Sequence, residues 1–370
     1  MSIRSLAAIT NGDGFFFIDE ITVGDPQPDE VLVAIKASGI CHTDYDSLNW
    51  KKTLIPGHEG AGIVFKKGKD VKHVEEGDAV AMNWAIPCYN CYQCQKGNEH
   101  LCEKNSFVLS GNNPFSEGHA HATGTLYKNK PIPRSFNLGT LSAYTLVKSE
   151  AVIPIPSSIP FAAASIIGCG VMTGYGSVMN AAKVKPSESV AVIGAGGVGL
   201  NVIQAARIAG AYPIIAIDTQ TARLEMARKM GATHCLLSNK QDTELKDITE
   251  QVKKLTNGRG ADYAFECTAI PEMGAAPLRL IRHAGMALQV SGIEQEITID
   301  MQLFEWDKIY LNPLYGQCRP RIDFPKIINH YLEKNLLLDE LVTATYNLND
   351  LGKAFDDMLL GKNAKGVIVF

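Results

Sequence analysis

The chain has 370 residues, a formal net charge of −4 and a hydrophobic content of 46%. This length accommodates two domains and a large buried core. The weak net charge gives no electrostatic reason to expect nucleic acid or an anionic membrane as a partner. Gly12, Asp13 and Gly14 interrupt the N-terminal segment before it is long enough for a signal peptide core, so a cytoplasmic protein is expected.

Up to about residue 160, the sequence predicts a β-rich region. The segments DEVLVAIKASGIC, GHEGAGIVFKKG and GDAVAMNW cluster or alternate β-forming residues, and glycine punctuates them. Residues 161–182 then carry no charge over 22 positions. Their four glycines favour buried turns and close packing over a membrane span.

Beyond residue 182, predicted strands alternate with predicted helices. The strands are SVAVI, PIIAID, THCLL, ADYAFECT and MALQVSG. The helices follow GAGGVG and occupy TARLEMARKMGA, DTELKDITEQVKKLTNG and PEMGAAPLRLIRHAG. This alternation predicts βαβ units and a parallel sheet, so the fold class is α/β. The tail adds two helices, in FPKIINHYLEKN and LNDLGKAFDDMLLG, and a final strand, GVIVF.

The GAGGVG segment matches a dinucleotide-binding pattern in the right context. Gly194, Gly196 and Gly199 form G-x-G-x-x-G between a strand and a helix, and Asp218 ends the next strand. The glycines permit a tight turn and close approach of a pyrophosphate to the helix N-terminus. The Asp218 carboxylate would accept ribose hydroxyls and repel a 2′-phosphate, which favours NAD over NADP. The simpler alternatives are a structural glycine turn and a helix cap at Asp218.

Four cysteines, Cys88, Cys91, Cys94 and Cys102, lie within fifteen residues. Their short spacings let successive sulfurs face one centre, and four thiolates would fill every position of a structural zinc. Disulfides, an iron–sulfur cluster and unrelated cysteines are the alternatives.

A catalytic zinc needs three protein ligands and one open position, so its ligands must lie outside that cluster. The candidates are Cys41 in GICHTD, His58 in PGHEGAG and Cys169 in IIGCGVMTG. Taken singly, each is more often a packing residue or a satisfied polar group. Sequence spacing alone does not bring Cys169 beside Cys41.

These motifs together resemble one family. GICHTD, PGHEGAG, the four-cysteine loop, GCGVMTGYG and GAGGVG occur in the order seen in zinc-dependent medium-chain alcohol dehydrogenases, over essentially the whole chain. The resemblance implies a GroES-like catalytic domain at 1–170 and 315–370, and a Rossmann NAD-binding domain at 171–314. It also implies two zinc ions per chain and a small-molecule alcohol or aldehyde as partner. We further expect a homodimer through the Rossmann edge strands, with a tetramer as the alternative.

The resemblance assigns roles to particular residues. Cys41, His58 and Cys169 become the catalytic zinc ligands, with the alcohol oxygen in the fourth position. Asp44 would hold the far nitrogen of His58, and Glu59 would lie behind the metal. The positions expected near the cofactor are His42, Thr173, Gly194, Gly196, Gly197, Val198, Gly199, Asp218, Arg223, Ile293 (also a pocket candidate) and Lys365. Core packing or a surface position is the simpler alternative for several of them.

The sequence departs from the family's best-known members around the substrate. Thr43 would take the hydroxyl proton, but Asp46 stands where the family's proton relay ends in histidine. The loop between the first two ligands is shortened and contains Trp50, while Trp84 matches a position in the pocket wall. A large indole there favours flat or unbranched primary alcohols. CHTD, the altered relay and ARLEMARKMGATH resemble the aryl- or benzyl-alcohol dehydrogenase branch, so an aromatic or allylic primary alcohol is the expected substrate.

Other functions remain as alternatives. A related dehydrogenase would act on a secondary alcohol, a polyol or a glutathione adduct such as S-hydroxymethylglutathione. A zinc-free reductase would lack the Cys/His/Cys ligands, and a non-enzymatic zinc- or NAD-binding protein would not need the full set of motifs. Finally, His119 and His121 in EGHAHATG suggest a third metal site, against the simpler expectation of a solvated loop.

Overall fold

The computed structural model describes residues 2–106, 108, 124–242 and 244–370. His119 and His121 lie outside these residues. The chain forms two compact units. The first contains Met1–Cys169, Cys318–Tyr331 and Leu338–Phe370, and the second contains Gly170–Gln317 and Leu332–Leu337.

Strands and helices are numbered in chain order. The strands are β1 (Ile3–Thr10), β2 (Phe16–Val23), β3 (Glu30–Gly39), β4 (Glu59–Lys67), β5 (Ala79–Met82), β6 (Thr125–Tyr127), β7 (Lys130–Pro131), β8 (Tyr144–Lys148), β9 (Val152–Pro154), β10 (Val190–Ile193), β11 (Ile214–Asp218), β12 (His234–Leu237), β13 (Ala261–Glu266), β14 (Ile281–Gln289), β15 (Ile309–Leu311), β16 (Val342–Tyr346) and β17 (Lys365–Val369). The helices are α1 (His42–Asp46), α2 (Tyr92–Gln95), α3 (Phe161–Ser165), α4 (Gly170–Gly176), α5 (Gly197–Ile208), α6 (Thr221–Met230), α7 (Lys246–Leu255), α8 (Ala276–Leu280), α9 (Pro320–Leu332) and α10 (Leu351–Leu359).

Two mainly antiparallel sheets form the first unit. One has the order β1-β2-β6-β7, and the other has the order β16-β17-β3-β4-β5-β9, with β8 paired to β3. Strand β3 is buried along almost its whole length, as expected for a central strand with both faces covered. Its pairing with β4 sets Gly39 opposite Glu59, and its pairing with β17 sets Gly39 opposite Val367. Three distant parts of the sequence therefore meet at the end of β3.

A six-stranded parallel sheet forms the core of the second unit. Its order is β12-β11-β10-β13-β14-β15, so β10 pairs with β11 on one side and with β13 on the other. Strands β10 and β11 are buried at every position, which explains why both are apolar throughout except for Asp218 at the end of β11. This is the strand order of a doubly wound dinucleotide-binding sheet, whose ligands bind beyond the carboxyl ends of the strands. The predicted α/β class, with a β-rich part and a parallel sheet, is confirmed.

One predicted helix is largely wrong. PEMGAAPLRLIRHAG was expected to be helical, but α8 covers only Ala276–Leu280 and β14 already begins at Ile281. Ile281 pairs with Ala261 of β13, with a register shift before the regular pairing resumes. Sheet pairing therefore overrides the helix-forming residues of this segment, an outcome that local propensity does not reveal.

Residues 161–182 form helices rather than the expected turns, although their close packing was predicted correctly. A Cβ at Gly174 would lie 2.7 Å from the Val198 carbonyl oxygen, and one at Gly176 would lie 2.3 Å from the Gly316 carbonyl oxygen. These glycines therefore let α4 approach its neighbours closely. No single helix in the described part of the chain is long and apolar enough to cross a membrane. One bent pair, Phe161–Gly168 with Gly170–Ala182, meets the criteria of length and composition.

Candidate functional site

The first unit brings together the three residues predicted to hold the catalytic zinc. Cys41 follows the end of β3 and His58 precedes the start of β4, and the pairing of these strands sets the two residues side by side. Cys169 arrives from a 3₁₀ turn whose last residue, Gly168, lies against Met82. A Cβ on Gly168 would lie 2.1 Å from the Met82 carbonyl oxygen, so glycine is needed for this approach.

The side chains of these residues form a compact donor set. The ligand atoms of Cys41, His58, Glu59 and Cys169 all lie within 4.8 Å of one another. His58 Nε2 is 3.3 Å from Cys169 Sγ. Two sulfurs and one imidazole nitrogen are the soft and borderline donors that zinc prefers. The residues present therefore fit a zinc ion.

Asp44 fixes the orientation of the histidine. Its Oδ1 is 2.7 Å from His58 Nδ1, and its Oδ2 accepts a hydrogen bond from the Cys41 backbone N–H at 3.1 Å. Asp44 is completely buried at the start of α1. Burial lowers the pKa of His58, but the charge and hydrogen bond of Asp44 outweigh it, so this pKa lies well above its ordinary value. Because Asp44 holds Nδ1, Nε2 is the nitrogen that faces the cysteines.

Glu59 forms a buried ion pair with Lys365. Lys365 Nζ lies 2.5 Å from Glu59 Oε1 and donates to the Ile40 carbonyl oxygen at 3.1 Å. Burial raises the pKa of Glu59 to about 7, although Lys365 opposes the shift. The other oxygen, Oε2, is buried and has no hydrogen-bond partner among the residues that the structure describes. Lys365, expected near the dinucleotide, is thus engaged with Glu59 in the first unit.

The two cysteines of the donor set differ in their affinity for a proton. A hydrogen bond from the Cys169 thiol holds the pKa of Cys41 well below its ordinary value, and the same bond raises the pKa of Cys169. Thr43 Oγ1 lies 3.8 Å from Cys41 Sγ. Cys41 is therefore the more acidic thiol of this pair, with a hydroxyl close to its sulfur.

Aromatic rings border the donor set on one side. The Phe136 ring lies 4.8 Å from the His58 ring and 5.1 Å from Trp84, which it meets edge-on, and Trp50 is 6.1 Å away. Trp50 and Trp84 were predicted from the sequence, but Phe136 was not. Its backbone is in the left-handed region (φ 52°, ψ 27°), within an irregular segment. That segment has no sequence signal by which the ring could have been predicted.

The second cysteine group is a separate site in the same unit. The sulfurs of Cys88, Cys91, Cys94 and Cys102 lie within 4.8 Å of one another, and these four cysteines are free thiols in the structure. Backbone N–H groups of Cys88 and Asn105 point at Cys102 Sγ at 3.3 and 3.4 Å. Such donors stabilise thiolates, so four sulfurs in this arrangement fit a closed metal site.

In the second unit, the three motif glycines each meet a different requirement. Gly194 has φ +89°, which favours glycine at the end of β10. A Cβ on Gly199 would lie 1.9 Å from the Gly194 carbonyl oxygen, so the helix can pack here only with glycine. At Gly196, no described atom lies within 4 Å of the Cβ position. The N-terminus of α5, which begins at Gly197, therefore has the open approach that a pyrophosphate needs.

Asp218 lies beside this turn at the end of β11. Its Oδ2 accepts a hydrogen bond from the Ala195 N–H at 2.8 Å, and its Oδ1 accepts one from the Gln220 N–H at 2.9 Å. Arg223 Nη1 is 3.8 Å from Oδ2. Asp218 thus stabilises the glycine turn and the start of α6, and each of its oxygens keeps a lone pair for a ligand.

The remaining predicted positions are distributed over both units. Thr173 is half-buried on α4, whose neighbouring Gly174 packs against the Val198 carbonyl of α5. Ile293 is half-buried in the loop after β14. In the first unit, His42 is exposed at the first position of α1.

Comparisons with known proteins show the family to which the chain belongs. Residues 27–157 match the family model of the alcohol dehydrogenase GroES-like domain, and residues 197–325 match that of the zinc-binding dehydrogenases. The chain is 35% identical over 361 residues to an S-(hydroxymethyl)glutathione dehydrogenase of Synechocystis sp., with 95% of each chain covered. It is 32% identical over 364 residues to alcohol dehydrogenase B of Mycobacterium tuberculosis, with 95% of this chain and 94% of that one covered.

A solved structure shows the same architecture. Benzyl alcohol dehydrogenase from Acinetobacter calcoaceticus superposes with a TM-score of 0.87 at 29% identity, covering 100% of this chain and 99% of that chain. The fold and the donor sets thus define a zinc-binding dehydrogenase. More particularly, the chain belongs to the zinc-dependent medium-chain alcohol dehydrogenase family, and it is an oxidoreductase. The predicted family resemblance is confirmed.

Proposed function

We propose that this protein uses NAD and a zinc ion to interconvert a primary alcohol and its aldehyde, with aromatic or allylic alcohols favoured. The observation that carries the proposal is the donor set of Cys41, His58 and Cys169, with the sulfurs of two half-buried cysteines and the nitrogen of one buried, oriented imidazole. Three protein ligands leave one position of a tetrahedral site for substrate, which is the arrangement of a catalytic zinc rather than a structural one. The second group, with four cysteines, would hold a structural zinc.

The cofactors supply two kinds of chemistry: bound zinc is a Lewis acid that lowers the pKa of an alcohol hydroxyl, and NAD accepts hydride. The chain's own residues prepare the site for both. Asp44 holds the imidazole of His58 so that only Nε2 is available as a ligand. Lys365 balances the charge of Glu59 behind the two thiols. The glycine turn and Asp218 would seat the pyrophosphate and the adenosine ribose, and the carboxylate would disfavour NADP.

A proton must also leave the alcohol. Thr43 is placed to accept it, because its hydroxyl lies 3.8 Å from Cys41 Sγ and therefore beside the donor set. In the next turn of the chain, Asp46 is exposed to solvent. The proposed path runs from the substrate hydroxyl to Thr43 and then outward, with Asp46 or water receiving the proton in place of histidine.

The preference for aromatic substrates rests on the rings beside the donor set. Phe136 packs on His58 and edge-on against Trp84, so an aromatic substrate near the metal would meet flat apolar surfaces. Such ring contacts contribute about 0.5–1.5 kcal/mol each beyond simple burial. A compact aliphatic alcohol such as ethanol would gain much less from them.

A substrate panel tests this proposal. The zinc-loaded enzyme is assayed for NADH formation with benzyl alcohol, an allylic alcohol, ethanol and 2-propanol, and benzyl alcohol should give the highest kcat/KM. Phe136→Leu should reduce the ratio of kcat/KM for benzyl alcohol to that for ethanol by about tenfold. Phe65→Leu is the matched control, because the Phe65 ring is exposed and lies away from the donor set. This ring meets the Tyr144 ring edge-on, with 5.3 Å between their centroids. Equal ratios in wild type and Phe136→Leu would remove the aromatic assignment.

A second candidate substrate is S-hydroxymethylglutathione, favoured by the 35% identity to the Synechocystis enzyme that bears this name. The same assay, with formaldehyde and glutathione added together, distinguishes the two. A kcat/KM above that for benzyl alcohol would assign the chain to the glutathione adduct instead.

A further inference from the structure

A buried carboxylate at the end of β13 lies outside every role assigned so far. Glu266 is completely buried and accepts hydrogen bonds from three donors. Its Oε1 accepts hydrogen bonds from the Thr268 backbone N–H at 2.6 Å and from the Thr268 hydroxyl at 2.5 Å. Its Oε2 accepts a hydrogen bond from the Ser291 hydroxyl. Three donors therefore converge on one side chain, whose two oxygens act as acceptors.

These hydrogen bonds join two loops at the same edge of the parallel sheet. Thr268 follows β13, and Ser291 follows β14. The Ser291 oxygen also accepts the backbone N–H of Ala269 at 2.9 Å, so the two loops are bonded to each other as well as to Glu266. Ala269 has a left-handed backbone (φ 60°), which is unfavourable for alanine and persists only where its surroundings fix it.

Through Thr268, the carboxylate is also linked to the glycine turn. The Thr268 methyl group would lie 2.7 Å from a Cβ on Gly194, so it packs directly on the first glycine of the motif. Glu266 thereby connects the loops after β10, β13 and β14. These are the loops at the carboxyl ends of neighbouring strands, where a doubly wound sheet binds its dinucleotide.

Strand order indicates which half of the dinucleotide these loops serve. Asp218, at the end of β11, marks the adenosine side, and the N-terminus of α5 marks the pyrophosphate. Because β13 lies on the other side of β10 from β11, the nicotinamide half falls over the loops after β13 and β14. We propose that Glu266 is a positioning residue that presets these two loops for the nicotinamide half of NAD. This inference rests on the proposed function.

The test compares binding of NADH with binding of AMP, which carries only the adenosine side. Glu266→Gln keeps the size of the side chain but turns an acceptor into an NH₂ group that faces donors. It should weaken NADH binding about tenfold and leave AMP binding within about twofold. Ser291→Ala, which removes only the bridge between the loops, should weaken NADH binding about threefold. It carries the test if the glutamine variant does not fold.

Glu188→Gln is the matched control. Glu188 is a half-buried carboxylate of the same unit, and it accepts the Tyr263 hydroxyl at 2.9 Å before the start of β10. It should bind both nucleotides like the wild type. Unchanged NADH binding in Glu266→Gln and Ser291→Ala, or equal losses for NADH and AMP, would overturn the positioning role. A wild-type protein that does not bind NADH would overturn the proposed function together with it.

Discussion

The buried pair of Glu59 and Lys365 supports a quantitative prediction about stability. Replacing Lys365 by methionine removes the ammonium group and leaves a completely buried carboxylate without its partner. Breaking a buried ion pair on one side costs about 3 kcal/mol. At about 2 °C per kcal/mol for a protein of this size, the Tm should fall by about 6 °C. The double variant Glu59→Gln/Lys365→Met removes both charges and should lose clearly less than the sum of the single variants.

The loss should depend on pH in a defined direction. The pKa of Glu59 is raised above its ordinary value of 4.5 to about 7, mainly by burial, while Lys365 opposes the shift. A raised carboxyl pKa means that this group's contribution to stability is largest at low pH and declines as the pH rises through the folded value. Without Lys365, the pKa rises further. The gap in Tm between Lys365→Met and wild type should therefore widen above pH 7.

The assay is thermal unfolding of the metal-free proteins between pH 5.5 and 8.5, followed by fluorescence. Lys362→Met is the matched control, because it breaks the nearby Lys362–Asp357 pair of 2.8 Å in which the lysine is exposed. An exposed pair contributes at most about 1 kcal/mol, so this variant should stay within about 2 °C of wild type. Three results would each refute the reasoning: equal losses in the two lysine variants, additive single effects, or a gap that does not change with pH.

The metal sites, the cofactor preference and the oligomer give further predictions. Cys41→Ser should abolish NADH formation and retain about one zinc per chain. Cys91→Ser should lose the other zinc and unfold at a lower temperature than the wild type. Equal zinc content in both variants and the wild type would contradict two separate sites. Asp218→Asn should raise the ratio of kcat/KM for NADP to that for NAD by at least about tenfold, because it removes a charge that repels the 2′-phosphate. The amide oxygen can still accept the hydrogen bond from the glycine turn. An unchanged ratio would argue against this role of Asp218. Light scattering should show a dimer for the wild type and a monomer for Ile309→Lys, because Ile309 is half exposed on edge strand β15 and lysine blocks edge pairing; a monomeric wild type would refute the expected dimer.

The fold class and the donor residues can both be predicted from the sequence, but from two different kinds of signal. Local patterns predict the parallel sheet, since β10 and β11 are largely apolar strands followed by turn signals. The ligands Cys41, His58 and Cys169 have no such local signal. They are recognisable only through the order of several motifs, because the strand pairing that joins them is a long-range property.

The unpredicted features depend on tertiary contacts that leave no mark on nearby sequence. Phe136 reaches His58 from a left-handed turn, and Lys365 pairs with Glu59 across 306 positions of sequence. Glu266 is one of many carboxylates in the sequence, and only the structure shows that three donors converge on it. The error in the segment around α8 has the same origin, because pairing with β13 decides its conformation.

The pairing of Glu59 with Lys365 also affects how the protein folds during synthesis on the ribosome. Lys365 belongs to the last strand, so it is made 306 positions after the carboxylate that it neutralises. At typical synthesis rates this delay is roughly 15–60 s. Throughout that interval the β-rich unit lacks β17, and Glu59 must stay hydrated or protonated. The metal pocket of this chain is therefore complete only once β17 has been made, and a nascent chain that lacks β17 would have an open sheet edge beside β3.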